Sequence, residues 1–430
     1  MIDNNERQAI LELIKQEVVP AIGCTEPVAV ALCTARAAEL LGCKPNKIKV
    51  LLSANILKNA MGVGIPGTGM IGLPIAIALG ALIGKSEYKL EVLKDLTEEA
   101  LTEGKKMIDD QVISILLKDN IEEKLYIEVT CESGNNWATA IISGGHTNFV
   151  KEIVNGDVKL DKQTKRTTID ESTMLSLSMR KVYDFAMTTP LEEIEFINEA
   201  KRLNKAAAQK SFLANYGHEL GKTINNSKSE NAIMGTNTFT HILSYTSGAC
   251  DARMAGAMIP VMSNSGSGNQ GIVATVPVVV YAEENGKSHE QLTRALILSH
   301  LTVIYIKLTL GKLSAQCGCV AAGTGSSCGI TYLMGGGYKE ITFAVKNMIA
   351  TLTGMICDGA KPSCALKVCS GVSTAVLSAI LAMENKCVTP VEGIIEDDVD
   401  YSIRNLSSIG STGMNATDRM VLDIMTHKKS

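Results

Sequence analysis

Residues 254–282, MAGAMIPVMSNSGSGNQGIVATVPVVVYA, contain no charged side chain, and residues 59–84 and 313–338 share this property. Each stretch exceeds the roughly 20 residues that a helix needs to span a bilayer. Glycine, proline and the polar run SNSGSGNQ at 263–270 interrupt these stretches, so none of them is a continuous apolar helix. The pattern therefore favours buried helices over membrane spans. Glycine-rich turns between such helices can approach a bound ligand closely.

The sequence around these stretches predicts further helices and one group of strands. Helical spacing of apolar residues occurs at 6–42, 98–117, 191–203, 289–310, 340–355 and 373–383. Strand patterns occur at 47–52, 124–130, 137–142 and 147–154, and Asn155-Gly156 is a hairpin signal. We predict an α+β fold that is mainly α-helical. Its parts would be residues 1–85, a helical segment that contributes to the core of the large domain, residues 86–170, a small α+β domain, and residues 171–430, the large helical domain.

Composition and charge exclude several classes of protein. Hydrophobic residues make up 46% of the chain and charged residues 20%, which excludes a disordered chain. The 41 basic and 45 acidic residues nearly balance, so the chain offers no electrostatic surface for nucleic acid. The N-terminus lacks the basic and apolar regions of a secretory signal. This predicts a cytoplasmic protein whose twelve cysteines stay reduced.

Seven of the twelve cysteines lie between residues 317 and 387, several of them on segments that break helices. No histidine lies within ten residues of them, so a mixed cysteine and histidine zinc site is disfavoured. A site built only of thiolates suits zinc or an iron–sulfur cluster. Buried free cysteines that pack as small apolar residues are the alternative. Spacing alone leaves both interpretations open.

Cys24 lies in the sequence PAIGCTEP, residues 20–27, at the predicted start of a helix. A helix N-terminus lowers the pKa of a thiol and favours the reactive thiolate. Alternatively, Thr25 caps the helix and Cys24 is only a small residue before it. Asp251, Arg253 and Lys361 are charged residues in largely uncharged surroundings, where each either orients a substrate or forms a buried ion pair.

Two long motifs resemble those of a known family. The motifs PAIGCTEP at 20–27 and MICDGAKPSCA at 355–365 are similar to those of the L-cysteine desulfidases, which are related to the iron–sulfur L-serine dehydratases. The resemblance extends from about residue 10 to residue 425. The segment AQCGCVAAG at 315–323 also resembles the segment of the dehydratases that carries a cluster ligand.

The resemblance implies a 4Fe-4S cluster held by Cys317, Cys357 and Cys364, with Cys24 as the catalytic general base. It makes residues 171–430 the iron–sulfur catalytic domain, with residues 1–85 contributing to the catalytic core. The ligand spacing of the serine dehydratases fits Cys369 better than Cys364, so this choice stays open. The dehydratases bring a C-terminal cysteine into the site, whereas this chain ends in THKKS. Whether Cys24 is the base or a fourth cluster ligand therefore also stays open.

The activity that the resemblance implies is α,β-elimination of L-cysteine to pyruvate, ammonia and hydrogen sulfide, without pyridoxal phosphate. An L-serine dehydratase and a non-catalytic iron–sulfur redox or sensor protein are the alternatives. We expect a small amino-acid substrate, no nucleic-acid or membrane partner, and leave a homo-oligomer open. The glycine-rich turn offers backbone N–H groups to a substrate carboxylate, unless it is a surface linker. The candidate substrate-binding residues are Ser263, Asn264, Ser265, Gly266, Ser267 and Asn269.

Overall fold

The computed structural model describes residues 2–118, 121, 123–162, 177–226, 234–311 and 313–428. The helices are α1 (Asn4–Glu17), α2 (Thr25–Leu41), α3 (Ala54–Ala60), α4 (Leu73–Ile83), α5 (Glu98–Asp109), α6 (Met179–Thr188), α7 (Leu191–Ile194), α8 (Asn198–Ser211), α9 (Leu220–Asn225), α10 (Thr238–Met254), α11 (Gly268–Glu284), α12 (His289–Leu310), α13 (Gly318–Leu333), α14 (Tyr338–Leu352), α15 (Cys364–Met383), α16 (Val399–Ser408) and α17 (Asn415–Thr426). The strands are β1 (Pro20–Ile22), β2 (Lys47–Leu52), β3 (Ile113–Leu117), β4 (Tyr126–Ser133), β5 (Asn136–Ser143), β6 (Phe149–Val154), β7 (Asp157–Asp161) and β8 (Pro260–Met262). The prediction of a mainly helical α+β fold is confirmed.

Six of the strands form one sheet in the order β3-β2-β4-β5-β6-β7. The pair β2 and β3 is parallel, and the other neighbours are antiparallel. Asn155 and Gly156 have positive φ angles of 51° and 92°, which is the backbone that a tight hairpin between β6 and β7 requires. The predicted hairpin is therefore confirmed.

The sequence-based helix over residues 98–117 is only half right. Helix α5 ends at Asp109, and Ile113–Leu117 instead forms the edge strand β3 beside β2. Gln111, with a φ of 55°, turns the chain out of the helix between the two elements. Pairing with a strand that lies far away in the sequence overrides the local helical pattern.

Helices α2, α4 and α5 cover one face of the sheet and share a hydrophobic core with it. Strand β2 and helices α2 and α4 come from the segment 1–85, so this segment contributes directly to the core of the sheet. The three-part domain division stays a prediction. Residues 163–170, at the end of its second part, lie outside the described residues.

A second and larger core is helical and surrounds α13, which packs against α11, α12, α14 and α15. Each uncharged stretch of the sequence is divided among shorter elements: residues 254–282, for example, hold the end of α10, strand β8 and most of α11. Two helices, α12 and α15, are long and apolar enough to cross a membrane by length and composition. The apolar window of α12 is 83% buried inside the protein, as expected of a core helix, and that of α15 is 44% buried.

Candidate active site

A cavity of about 110 Å³ lies where the N-termini of α2, α11, α13 and α15 converge. One water needs about 10–15 Å³ of such space, so the cavity has room for a ligand of several atoms. Each helix start contributes a residue to the lining: Cys24, Ser267, Cys317 and Cys364. Four helix N-termini together make the cavity electropositive and suited to anions and thiolates.

The loops that carry Cys317 and Cys357 are held side by side by backbone hydrogen bonds. The N–H of Cys317 donates to the carbonyl of Met355 at 2.9 Å, and the N–H of Cys357 donates to the carbonyl of Ala315 at 2.6 Å. The loop of Cys317 follows the end of α12, and the loop of Cys357 follows the end of α14. This pairing brings two thiols from distant segments into one cavity wall.

Cys364 opens helix α15 and completes this thiol group, because it lines the same cavity. Its thiol donates a weak hydrogen bond to the carbonyl of Gly359 at 3.6 Å. Cys369 lies further along α15, where its thiol contacts Ser247 of α10. Within the described part of the chain, the lining of the cavity includes Cys364 and not Cys369.

The electrostatic surroundings of the three thiols differ. A hydrogen bond from Cys319, whose sulfur lies 3.3 Å away, lowers the pKa of Cys317 and favours its thiolate. Burial raises the pKa of Cys364 to about 11, and it also raises the pKa of Cys357, although the charges of Lys58 and Lys367 act in the opposite direction on Cys357. The thiols thus combine burial with nearby positive charge.

Cys24 reaches the cavity through the short antiparallel pair of β1 and β8, which joins the chain before Cys24 to the chain before Ser263. The Thr25 hydroxyl donates to the carbonyl of Gly266 at 2.7 Å and fixes the start of α2 against the glycine-rich turn. The Cys24 side chain is 3% exposed and lines the cavity together with Glu26. Cys24 and Glu26 therefore line the same cavity as four cysteines from later in the chain, Cys317, Cys319, Cys357 and Cys364.

The sequence leaves open whether the helix start lowers the Cys24 pKa, and the surroundings of the thiol in the structure act to raise it. Burial raises the pKa of the thiol well above its ordinary value, and the negative charge of Glu26 raises it further. The charge of Arg253 opposes this shift but does not overcome it. The helix N-terminus is a smaller influence than removal of water from the thiolate. The Cys24 thiol donates a hydrogen bond to Glu26 Oε2 at 3.0 Å.

Of the six candidate substrate-binding residues, the structure brings Ser267 and Asn269 to the cavity. The other four residues, Ser263, Asn264, Ser265 and Gly266, do not line this cavity. Ser263 donates to the carbonyl of Val19 at 2.6 Å, and Ser265 donates to Asn264 Oδ1 at 2.8 Å. The Asn264 amide donates to the ring and the carbonyl of His300 at 3.0 and 3.1 Å. Gly266 lines a different cavity, next to His146.

Four buried polar atoms around the cavity lack a hydrogen-bond partner within the described chain: Asn59 Oδ1, Arg253 Nε, Gln270 Oε1 and Gln316 Oε1. Folded proteins pair nearly all buried polar atoms, so these four stand out among the residues that line the cavity. Arg253 stands out in the sequence as a charge in uncharged surroundings, whereas the sequence did not predict that Glu26 and Gln316 line the cavity. The signal for Glu26 was its position two residues after Cys24, in the first helical turn.

The thiols are soft donors, which suit an iron–sulfur cluster. Among the residues that the structure describes, no three His, Cys, Asp or Glu side chains are grouped closely enough to hold one metal ion. Soft thiolate donors, a cavity large enough for several atoms and converging helix N-termini all suit an iron–sulfur cluster.

Comparison with known proteins places the chain in a family. A family model for the serine dehydratase alpha chain matches residues 87–423. A UPF0597 protein of Phocaeicola vulgatus is 73% identical over 429 residues and covers 100% of both chains. A UPF0597 protein of Shewanella halifaxensis is 45% identical over 430 residues, which cover 97% of this chain and 98% of the relative. The chain belongs to the serine dehydratase alpha chain family.

Proposed function

We propose that this protein is an iron–sulfur-dependent lyase that converts L-cysteine to pyruvate, ammonia and hydrogen sulfide. One observation supports the proposal most strongly: Cys24, Cys317, Cys357 and Cys364, from distant parts of the chain, line one cavity with four unpaired polar atoms. Family membership supports the broader statement that the chain is a lyase with an iron–sulfur cofactor. The choice of cysteine as substrate rests on the motifs around Cys24 and Cys357.

In this proposal Cys317, Cys357 and Cys364 hold a 4Fe-4S cluster. When bound, such a cluster supplies an iron without a protein ligand that acts as a Lewis acid on the leaving group of the substrate. The surrounding chain neutralises charge and excludes water. Lys58 and Lys367 both donate to backbone carbonyls of the loop around Cys357, and thereby keep positive charge next to the thiolates.

Cys24 is the proposed base. Its proton passes to Glu26, and the resulting thiolate removes the α-proton of the substrate. The electrons of the broken Cα–H bond form a double bond to Cβ as the Cβ–S bond breaks, which gives aminoacrylate and hydrosulfide. Hydrosulfide takes the proton held by Glu26 and leaves as hydrogen sulfide, so that the Cys24 thiol and the Glu26 carboxylate are restored. Aminoacrylate becomes an imine and reacts with water to give pyruvate and ammonia. Because burial raises the Cys24 pKa, the thiolate is a strong base when it forms, and Arg253 stabilises its charge.

L-Serine is the second candidate substrate, because the family model that matches the chain is that of a serine dehydratase subunit. The same base and the same Lewis acid would then expel water instead of hydrogen sulfide. We also propose a cytoplasmic location, where thiols stay reduced, and a small amino acid as the partner. Assembly as a homo-oligomer stays a prediction.

The proposal is tested by purifying the chain without oxygen and recording its visible absorption spectrum, iron content and acid-labile sulfide. The same sample is then given L-cysteine and L-serine in parallel, and sulfide, ammonia and pyruvate are measured. We expect a cluster and a larger kcat/KM for L-cysteine. A larger kcat/KM for L-serine would establish the second candidate, and a cluster without either reaction would make the protein a redox or sensor protein.

A further inference from the structure

Cys319 is a thiol of the cavity that the proposed reaction does not use. It follows Cys317 by two residues, lies in the first turn of α13, is 5% exposed and lines the same cavity. All twelve cysteines are free thiols, and within the described chain only Cys319 and Cys317 form a hydrogen bond between two cysteines. The two sulfur atoms are 3.3 Å apart. Cys319 is therefore more than a small apolar side chain, because its sulfur meets a second thiol.

The backbone between the two thiols suits a covalent bond between their sulfur atoms. Cys317 is extended, with φ −64° and ψ 131°, and Cys319 is already helical, so the chain turns between them at Gly318. Two residues of chain span at most about 7 Å between Cα atoms, and a disulfide usually bridges about 4.4–6.8 Å. The sulfur atoms need to approach from 3.3 Å to about 2.05 Å, which rotation of the side chains supplies.

The surroundings of Cys319 leave its sulfur able to move. Besides the thiol of Cys317, Sγ lies 3.1 Å from Met355 Sδ and 3.5 Å from the carbonyl oxygen of Lys367. A thioether is a weak acceptor and a thiol is a weak donor, so little is lost when these contacts break. Gly371 of α15 also leaves space beside the sulfur, since a Cβ atom there would lie 3.3 Å from Sγ.

The two thiols differ in their accessibility. Cys317 is half-buried at the cavity wall, whereas Cys319 is buried. A reagent that enters the cavity therefore meets Cys317 first, with Cys319 next to it. This is the arrangement of an attacking thiol with a resolving thiol, in which the second displaces the reagent from the first.

We propose that Cys317 and Cys319 form a reversible disulfide when the chain holds no iron and a low-molecular-weight disulfide is present. The Cys317 sulfur attacks one sulfur of the small disulfide, whose own bond breaks, and the first small thiol leaves with the Cys317 proton. The Cys319 sulfur then attacks the Cys317 sulfur, and the second small thiol leaves with the Cys319 proton. The two cysteines are oxidised and the small disulfide is reduced. Cys317 then has no thiolate to offer to iron until a thiol reductant cleaves the bond.

Peptide mapping of the full-length chain tests the proposal. Iron is removed without oxygen by a chelator, oxidised glutathione is added, and the remaining free thiols are blocked with N-ethylmaleimide before tryptic digestion and mass spectrometry. The tryptic peptide 313–339 contains three cysteines, at positions 317, 319 and 328. We expect this peptide to carry N-ethylmaleimide on Cys328 only and no glutathione. It should exceed any peptide that joins Cys317 to Cys357 or Cys364 by about tenfold or more, because neighbouring groups react fastest.

Two variants sharpen the test. Cys319→Ala removes the resolving thiol, so glutathione should accumulate on Cys317. Cys328→Ala, which removes a fully buried thiol from the same helix, should form the internal disulfide as the parent does. Circular dichroism checks that both variants are folded, and if Cys319→Ala is not, the map of the parent alone decides.

Three results for the parent would each overturn the proposal: glutathione that stays on Cys317, a bond from Cys317 to Cys357 or Cys364, or a peptide 313–339 in which Cys317 and Cys319 are both free. The test needs neither iron nor a substrate, so its outcome is separate from that of the proposed elimination reaction. A chain that forms the internal disulfide but releases no sulfide from L-cysteine refutes only the proposed function.

Discussion

The thiol of Cys24 donates a hydrogen bond to Glu26 Oε2 across 3.0 Å, and both side chains line the cavity that also contains Cys317 and Cys357. The thiol is therefore paired with a proton acceptor. Burial raises the Cys24 pKa and the charge of Glu26 raises it further, and in the proposed reaction Glu26, which accepts the hydrogen bond of the thiol, receives its proton. The two residues form one functional unit in the proposed reaction, and they can be tested separately.

Replacement of Cys24 by alanine should keep the visible spectrum of the cluster and lower kcat by about 10²-fold or more, as expected when a general base is removed. Glu26→Gln should lower kcat as well, since an amide does not accept the thiol proton. A steady-state assay of sulfide release and an anaerobic spectrum of each variant check this. An altered or air-sensitive spectrum in Cys24→Ala would instead identify Cys24 as a cluster ligand, and full activity would end both roles.

Cys364 and Cys369 offer a matched pair on one helix. Only Cys364 lines the cavity within the described chain, so Cys364→Ser should lose most of its iron and acid-labile sulfide after anaerobic reconstitution. Cys369→Ser should retain both. Iron and sulfide per chain are measured for the two variants side by side, with Cys357→Ser as a further ligand variant. Retention of the cluster by Cys364→Ser and its loss in Cys369→Ser would reverse the ligand assignment.

Much of the fold follows from local pattern. The hairpin at Asn155-Gly156, strands β4 to β6 and the long helices were predicted because each carries its own periodicity or turn residues. Strand β3 was not predicted because it forms by pairing with β2. The periodicity of its own residues does not depend on that distant partner. The strand pair β1 and β8, which sets Cys24 against the glycine-rich turn, is hidden for the same reason.

The candidate site divides in a similar way. The resemblance of the motifs pointed to Cys24, Cys317, Cys357 and Cys364, and all four line the cavity. The sequence could not show that the Asn264 amide is hydrogen-bonded to His300, because the direction of a side chain depends on tertiary packing. The sequence also could not predict the direction in which the Cys24 pKa shifts. It depends on how deeply the thiol is buried and on the side-chain conformation of Glu26.

The ion pair of Lys58 and Asp418 joins the C-terminal helix α17 to the loop of Cys357. Lys58 is 1% exposed, contacts Asp418 and donates to the carbonyl of Cys357 at 3.3 Å. Asp418→Asn leaves the buried ammonium without its counter-ion and should lower the free energy of unfolding by about 3 kcal/mol. The exposed Asp423→Asn on the same helix should change it by less than about 0.5 kcal/mol. Guanidinium unfolding compares the two, and equal effects would contradict a specific role for the pair.

Acid should destabilise the protein through His300. Burial lowers the pKa of His300 to about 3, whereas an unfolded histidine titrates near 6.5. Between these pH values the unfolded chain binds a proton at His300 that the folded protein does not bind. The buried neutral His300 therefore costs no stability above pH 6.5, and the free energy of unfolding falls as the pH decreases below that value. The slope reaches about 1.4 kcal/mol per pH unit. His300→Gln should show a smaller slope of unfolding free energy between pH 6.5 and 4.5. An equal slope in parent and variant would assign the acid sensitivity to other groups.

Product stoichiometry tests the central claim most directly. The anaerobically purified chain with its cluster is incubated with L-cysteine, and sulfide, pyruvate and ammonia are quantified in the same sample, with Cys357→Ser as the matched variant. We expect equal amounts of the three products from the parent and none above background from Cys357→Ser. If Cys357→Ser lacks the cluster yet forms the three products at the rate of the parent, or if the cluster-bearing parent forms none, the account is contradicted.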